Sequence, residues 1–426
     1  MRTRIRLALV ALACLSVANA QEPRDGEHWI STWGTAQQLA VEMRPPWVAP
    51  PPRAQDEPPP HSPIPPYPQT FADETVRMVV RTSVGGRRLR LTLSNALGVE
   101  PVRIGAVHVA LRARESATVS GSDRVVTFGG RASFTIQPGA LVVSDAVDLA
   151  VPALTELAVS LYVPDDTASA TAHELGLNTT YVAPGNAAAS ASLPSAATNL
   201  TYFWLTGIEV LAPAAAGTIV AFGDSITDGF SSTPNAHRAW PAQLAARLQN
   251  DRATAHWGVV NVGISGNRVR RDVVGTSALA RFDRDVSSRA GVRWLVLFEG
   301  INDINFSALP RAPESQRTTA EQLIEALSQL VDRAHAEGLK VIGATLMPMG
   351  GLWLHNAETE AMRQAVNRWI RSGGKFDAVV DFDAVTRDPQ QPERLRPQFD
   401  SGDHIHPNDA GNAAMANAID IAVFDR

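Results

Sequence analysis

Cysteine is nearly absent from this chain of 426 residues, and the single one, Cys14, lies within its first twenty residues. Disulfide bonds and thiolate chemistry are therefore excluded for residues 21–426. No segment after the leading one approaches eighteen continuous apolar residues, so no membrane-spanning helix is expected. Basic charge is not in excess either, because 38 Lys and Arg face 43 Asp and Glu, for a net charge of −5. Without a basic stripe, nucleic acid is not an expected partner.

The remaining composition is that of an ordinary soluble globular protein, with 45% hydrophobic and 19% charged residues. A chain of this length exceeds one ordinary hydrophobic core, which favours two domains.

Residues 1–20 have the pattern of a secretory signal peptide: basic "MRTRIR", apolar "LALVALACLSV", and "ANA" as a small-x-small cleavage pattern. We expect cleavage after Ala20 and a secreted or periplasmic protein. A lipoprotein signal at Cys14 is the alternative, although "ALAC" has Ala where a larger aliphatic residue is usual.

Residues 21–70 combine a strand and turn in "HWISTWGTAQQL" (28–39) with a proline-rich stretch at 44–68. Proline lacks the N–H and fixes φ, so this stretch is neither a helix nor a central strand. It either wraps the surface or brings Trp47 and Tyr67 to a binding cleft, and we favour the surface wrap.

Residues 71–211 alternate apolar and polar residues with a period of two, as in "TVRMVVRTS" and "ELAVSLYV". Short strands separated by Gly, Pro, Asn and Asp turns predict an antiparallel all-β sandwich or jelly roll.

Residues 217–426 change in pattern, because near-continuous apolar strands now alternate with helical stretches, as in "TIVAFG" before "WPAQLAARL". This alternation predicts an α/β domain with three α/β/α layers around a parallel five-stranded sheet. In such folds the working groups gather at the carboxyl ends of the strands.

Chemically active residues follow several of the predicted strands. They are Ser225 in "GDS", Gly263 in "NVGISGN", Gly300, Asn302 and Asp303 in "GIND", and Asp403, His404 and His406 in "DHIHP". Nucleophilic acyl transfer needs such a set of groups at one edge of the sheet: a hydroxyl, an exposed N–H, an amide, carboxylates and imidazoles.

These four blocks, in this order, resemble those of the SGNH hydrolase family, also called the GDSL esterases and lipases. The family resemblance implies a flavodoxin-like α/β/α fold over residues 217–426. The start "STWGTAQ" and the β-rich region before the α/β domain further resemble a subgroup of secreted bacterial arylesterases and carbohydrate acetylesterases.

The resemblance implies a role for each matching residue. Ser225 would be the nucleophile, His406 the general base and Asp403 the carboxylate that orients it. The oxyanion hole would comprise the N–H groups of Ser225 and Gly263 and the side-chain amide of Asn302. No cofactor and no metal are implied.

Several alternatives stay open at these positions. Ser225 could merely cap a helix, and Gly263 could be needed only for a positive φ. Asp224 either braces the turn or takes a direct part in the chemistry, whereas Asp303 is expected to hold its loop by hydrogen bonds. "DHIH" could also suggest a metal site, but no further ligand cluster accompanies it.

The two histidines of "DHIHP" compete for the role of base, since His404 could pair with Asp400. We assign the base to His406, which has Asp403 three residues before it. Trp353 and His355, after the fourth strand of the α/β domain, either shape the substrate pocket or only anchor their loop.

The sequence thus predicts a secreted serine esterase that hydrolyses short acyl esters, above all acetyl esters, of carbohydrates or other alcohols. A lysophospholipase or thioesterase of the same family is one alternative. A carbohydrate-binding protein that keeps the hydrolase shape without catalysis is the other.

Overall fold

The computed structural model describes residues 26–39, 46–48 and 66–425. The predicted signal peptide, Cys14 and most of the proline-rich stretch lie outside the described residues.

The amino-terminal half is built from short strands. They are β1 (Glu27–Gly34), β2 (Gln38–Leu39), β3 (Glu74–Arg81), β4 (Leu89–Ser94), β5 (Val102–Ile104), β6 (Ala106–Arg114), β7 (Ala117–Thr118), β8 (Arg124–Val125), β9 (Phe134–Ile136), β10 (Leu141–Val143), β11 (Glu156–Val163), β12 (Thr171–His173), β13 (Thr180–Pro184), β14 (Ala197–Asn199), β15 (Tyr202–Phe203) and β16 (Leu205–Pro213). All of their ladder pairings are antiparallel, which confirms the predicted all-β domain, called the β-domain from here on.

Two sheets enclose the core of the β-domain. One has the order β1-β16-β4-β10, and the other has the order β14-β13-β3-β11-β6-β7, with β8 also paired to β6. Alternate residues of β4 and β11 point into one shared apolar cluster, as the period of two requires. β1, which we had placed with the proline-rich stretch, pairs with β16 and is thus part of the β-domain.

The carboxyl-terminal half contains one parallel sheet. Its strands are β17 (Gly217–Gly223), β18 (Trp257–Asn261), β19 (Val292–Phe298), β20 (Lys340–Ala344) and β21 (Ala378–Val380). They are arranged in the order β18-β17-β19-β20-β21, and this confirms the predicted five-stranded parallel sheet. Because the order reverses next to β17, the crevice for a ligand is expected at the carboxyl ends of β17 and β19.

Helices accompany these strands along the chain. They are α1 (Ser225–Asp228), α2 (Trp240–Asn250), α3 (Ala278–Phe282), α4 (Ile301–Ser307), α5 (Ala320–Ala336), α6 (Ala357–Ser372), α7 (Phe382–Thr386) and α8 (Asp409–Ala418). Capping boxes at Thr319 and Asn356 fix the starts of α5 and α6. In the described part of the chain, no helix combines the length and apolarity needed to cross a membrane.

The two domains meet through buried polar contacts. The guanidinium of Arg289, at the start of the turn into β19, donates to the carbonyl oxygens of Thr35 and Thr206 in the β-domain, both at 2.8 Å. The hydroxyl of Thr218 on β17 accepts a hydrogen bond from the N–H of Ser31 on β1 at 3.0 Å. Only residues 214–216 connect β16 to β17.

Candidate active site

Ser225 lies directly after β17, at the first position of α1. Asp224 caps this short helix, because its Oδ1 accepts the N–H of Ile226 at 3.0 Å. The helix ends after one turn at Gly229, whose φ of 109° lets its N–H return to the Ser225 carbonyl. The tight turn places the Ser225 side chain at the carboxyl edge of the sheet.

Three of the predicted residues form a hydrogen-bonded series. The Oγ of Ser225 lies 2.7 Å from Nε2 of His406, and Nδ1 of His406 lies 2.6 Å from Oδ2 of Asp403. With Nδ1 protonated, the imidazole donates to the carboxylate and offers Nε2 as the acceptor for the serine proton.

The loop before α8 holds this series in place. The second oxygen of Asp403 accepts the N–H groups of Ile405 and His406 at 3.1 and 2.9 Å, so the carboxylate folds back onto its own loop. Asn408 caps α8 by accepting the N–H groups of Ala410 and Gly411, which fixes the exit of the loop.

Electrostatics favour the ionised form of Asp403. Burial acts to raise the pKa of this carboxyl, but the hydrogen bond and charge of His406 outweigh it and hold the pKa well below its usual range. The ring of Phe230 lies over the imidazole, with centroids 4.3 Å apart and an interplanar angle of 34°. The imidazole of His406 is thus held between a carboxylate and an aromatic ring.

His404 occupies a different position. Its Nδ1 lies 2.7 Å from Oδ2 of Asp400, and 41% of its side chain is exposed. The structure therefore brings His406, and not His404, to Ser225, as the sequence interpretation has it.

The structure argues against the role we predicted for Gly263. Its N–H donates to Oδ1 of Asn261 at 3.0 Å, so this donor is not available to a substrate. A Cβ at this position would lie 2.3 Å from the backbone nitrogen of Asp228. Gly263 therefore has a packing role, because it lets the chain after β18 approach the turn at residues 224–228 closely.

Gly266, three residues further on, has the properties that we expected of Gly263. It turns the loop after β18 with a φ of 79°, and it is partly exposed. Its N–H has no hydrogen-bond partner within the described residues, and neither has the N–H of Ser225.

Asn302, at the start of α4, supplies a third donor beside this turn. Its amide nitrogen donates one hydrogen to the carbonyl of Asn267 at 3.0 Å and retains a second hydrogen. Asn302 is therefore tied to the residue that follows Gly266.

A fully buried arginine, which the sequence interpretation missed, connects the strand ends. The guanidinium of Arg281 donates to the carbonyls of Gly223 and Val262 at 3.0 and 2.7 Å, and to Oδ1 of Asn267 at 3.0 Å. It also lies 4.0 Å from the centroid of the Phe222 ring. Arg281 thus fixes the serine turn and the loop of Gly266 relative to each other.

Three buried carboxyl groups interact with Arg281, and Asp285 is the nearest, 3.2 Å from the guanidinium. Glu299, at the end of β19, is 3.4 Å from the guanidinium, and burial together with the charge of Asp224 raises its pKa well above the usual range. Burial likewise raises the pKa of Asp224 to about 7, although the N–H of Ile226 and the charge of His406 oppose this. Buried carboxyl groups with raised pKa values and one arginine therefore lie together behind the Ser225 turn.

Asp303 lies on α4 and holds the loop after β18 by hydrogen bonds, whereas we expected it to hold its own loop. Its carboxylate accepts the N–H groups of Val269 and Arg270 at 2.7 and 3.3 Å, and it lies 3.7 Å from Arg268. It makes no hydrogen bond to Ser225 or His406 among the described contacts.

Trp47 and the loop of Trp353 and His355, for which a role in the pocket stayed open, meet at one small apolar cluster, where Leu352 and Leu354 of that loop pack. Trp353 is 48% exposed, and the imidazole of His355 lies 3.6 Å from Glu393. Trp47 packs edge-on against Phe306 of α4, with ring centroids 6.5 Å apart.

Tyr67, at the other end of the proline-rich stretch, is not near these residues. Its hydroxyl donates to Glu174 at 2.6 Å, so it packs against the β-domain.

A cavity of about 120 Å³ lies between the two domains, but Ser225 and His406 are not among its lining residues. It is lined by Trp33, His173, Tyr202, Asp228 and neighbouring residues of both domains. In the described ranges, no group of three or more His, Cys, Asp and Glu side chains is arranged to hold a metal ion.

A parallel sheet that carries serine, histidine and aspartate in a hydrogen-bonded series at its carboxyl edge has the design of a serine-dependent hydrolase. Residues 221–414 match the model of the GDSL-like lipase/acylhydrolase family. The carboxyl-terminal part of this chain is a domain of that family, broadly an ester hydrolase, and the β-domain precedes the matched range.

Solved structures from three sources are similar to about half of this chain. An acetylxylan esterase from Geobacillus stearothermophilus is 24% identical with a TM-score of 0.37, over 47% of this chain and 91% of that chain. LAE5, an α/β hydrolase from the metagenome of Lake Arreo, is 26% identical with a TM-score of 0.38, over 48% and 94%. A GDSL-like lipase from Bacteroides thetaiotaomicron is 20% identical with a TM-score of 0.36, over 49% and 88%. No curated protein matches the chain.

Proposed function

We propose that this protein is a serine esterase that removes short acyl groups, above all acetate, from alcohols or carbohydrates. The observation that carries the proposal is the series from Ser225 through His406 to Asp403, with distances of 2.7 and 2.6 Å. The preference for a short acyl group rests on the sequence resemblance. The leader at residues 1–20 supports secretion or a periplasmic location, which is part of the proposal.

Acylation begins with the serine proton. His406 Nε2 takes it while Ser225 Oγ forms a bond to the ester carbonyl carbon, and the carbonyl oxygen becomes an oxyanion. Asp403 stabilises the imidazolium that forms. The tetrahedral intermediate then expels the alcohol, which receives the proton from His406 Nε2, and the acyl group remains on Ser225.

Deacylation repeats these steps with water. His406 takes a proton from the water, whose oxygen attacks the acyl carbon. Collapse of the second intermediate breaks the bond to Oγ, returns a proton to Ser225 and releases the carboxylic acid.

The oxyanion in both steps is stabilised by the N–H of Ser225, the N–H of Gly266 and the second amide hydrogen of Asn302. Gly266 replaces Gly263 in this proposal, because its donor is free whereas that of Gly263 is bound to Asn261. Donors that are already held in place stabilise the developing charge without reorganisation.

Hydrolysis of p-nitrophenyl acetate, butyrate and octanoate by the purified protein tests the proposal, with Ser225→Ala as the matched control. We expect turnover that falls with chain length and is lost in the variant. Absence of turnover of every ester by a folded wild-type protein would refute the esterase function and favour a non-catalytic carbohydrate-binding role. A rise in turnover with chain length would favour the lysophospholipase alternative.

Comparison of acetylated xylan with its deacetylated form then tests the carbohydrate substrate. Release of acetate from the polymer, absent in Ser225→Ala, would support a carbohydrate acetylesterase. Activity on aryl esters alone would restrict the proposal to simple alcohol esters.

A further inference from the structure

A histidine of the β-domain contacts the helix that begins with the proposed nucleophile. Nε2 of His173, on β12, lies 2.9 Å from Oδ1 of Asp228, the last residue of α1. The two side chains are only 5% and 3% exposed. A buried carboxylate needs donors on its oxygens, since an unpaired charge in such a place is strongly destabilising.

The other oxygen of Asp228 holds the loop that carries the proposed oxyanion donor. Oδ2 accepts both the N–H and the hydroxyl of Ser265, at 3.0 and 2.8 Å. Ser265 directly precedes Gly266. Asp228 therefore connects His173 in the β-domain to Ser265, the residue directly before Gly266.

The β-domain holds His173 firmly in place. β12 pairs with β15, so that His173 lies opposite Tyr202, and their rings stack with an interplanar angle of 20°. The hydroxyl of Tyr202 in turn accepts a hydrogen bond from Asn178 at 2.9 Å, and Trp33 packs edge-on against the same ring at 5.1 Å.

We infer that His173 is a positioning residue of the active site, and that the β-domain thereby aligns the oxyanion donor of Gly266 through Asp228 and Ser265. The inference rests on the proposed function. When the imidazole is absent, Oδ1 of Asp228 loses its donor, and the carboxylate no longer holds Ser265 in one position. A displacement of about 1 Å at a catalytic group can lower the rate by about 10²-fold.

Two interdomain histidines allow a matched experiment. His237, in the loop before α2, lies 2.8 Å from Glu156 of β11, so it also joins the α/β domain to the β-domain through a carboxylate. Its contact has no connection to Ser265. Both variants weaken the contact between the domains, but only His173→Ala also disturbs the alignment of the active site. Comparison of the two variants therefore separates these effects.

Steady-state hydrolysis of p-nitrophenyl acetate is measured for wild type, His173→Ala, His173→Gln and His237→Ala, with folding checked by circular dichroism. For His173→Ala we expect a kcat lowered about 10–100-fold at a KM within about threefold, because the donor acts on the transition state. His173→Gln places an amide N–H near the position of Nε2 and should recover most of kcat. His237→Ala should keep the wild-type kcat.

Equal losses in His173→Ala and His237→Ala, or a His173→Ala kcat within threefold of wild type, would overturn the inference. If His173→Ala does not fold, Ser265→Ala decides, since it removes one donor from the other side of Asp228. An unchanged kcat in Ser265→Ala would then overturn the inference, and a lowered kcat at constant KM would support it. If the wild type itself turns over no ester, the proposed function fails instead, independently of these variants.

Discussion

Asn302→Ala tests the proposed oxyanion hole most directly. The substitution removes two amide hydrogens, one bound to the Asn267 carbonyl at 3.0 Å and one that faces no described partner. The first is a structural hydrogen bond, worth about 1 kcal/mol of folding stability. The second would act on the oxyanion, and loss of one such donor lowers kcat by about 10²–10³-fold, or about 3–4 kcal/mol.

The two contributions are measured separately. Urea unfolding gives the free energy of unfolding, and initial rates with p-nitrophenyl acetate give kcat and KM. We expect KM to stay nearly constant while kcat falls, because the donor acts on the transition state. Asn305→Ala is the matched control, since Asn305 is equally buried and lies on the same helix. A KM that rises tenfold at constant kcat, or equal losses of kcat in both variants, would refute the reasoning.

The remaining predictions concern the triad and the buried carboxyl beside it. Ser225→Ala should lower kcat by about 10⁴–10⁶-fold with an unchanged circular dichroism spectrum, and retention of a tenth of the wild-type kcat would contradict the nucleophile assignment. His406→Ala should cost as much, and the Ser225/His406 double variant hardly more, because the two residues act as a unit. His404→Ala should stay within about tenfold of wild type, and a dead variant would move the base to His404. Burial raises the pKa of Asp224 from 3.8 to about 7. The neutral carboxyl therefore contributes fully to folding stability below pH 3.8, and this contribution is lost as the pH rises through 7. Asp224→Asn, which retains the capping oxygen, should therefore raise Tm at pH 8 but not at pH 4, and parallel Tm profiles of the two proteins would show this interpretation to be wrong.

The two-domain fold could be predicted from hydrophobic periodicity alone. "ELAVSLYV" has Leu or Val at every second position and forms β11, whereas "WLVLF" is continuously apolar and forms the central strand of the parallel sheet. The pairing of β1 with β16 could not be predicted, because the strands are far apart in sequence and register depends on tertiary packing.

The site was predictable where the chemistry determines the residue type. Few serine, histidine and aspartate residues follow the predicted strands. Their positions in the sequence therefore indicated Ser225, His406 and Asp403, which the structure joins by hydrogen bonds. The choice between Gly263 and Gly266 was not accessible in the same way, since it depends on which backbone N–H is already bonded.

Arg281 shows a different limit of sequence reasoning. With Asp285 four residues later, it has the spacing of an ordinary surface ion pair on a helix. Only the packed structure shows that both side chains are buried and that the guanidinium reaches three strand ends. The interdomain contact of His173 with Asp228 is equally long-range, and nothing in the local sequence of either residue indicates it.

The buried contacts of Arg289 have a practical consequence for protein engineering. Its guanidinium donates to the carbonyl oxygens of Thr35 and Thr206. A fragment that begins at residue 217 would therefore leave these N–H donors without their acceptors. Transfer of the α/β domain onto another scaffold therefore requires transfer of the β-domain with it, including β1 from the far end of the sequence.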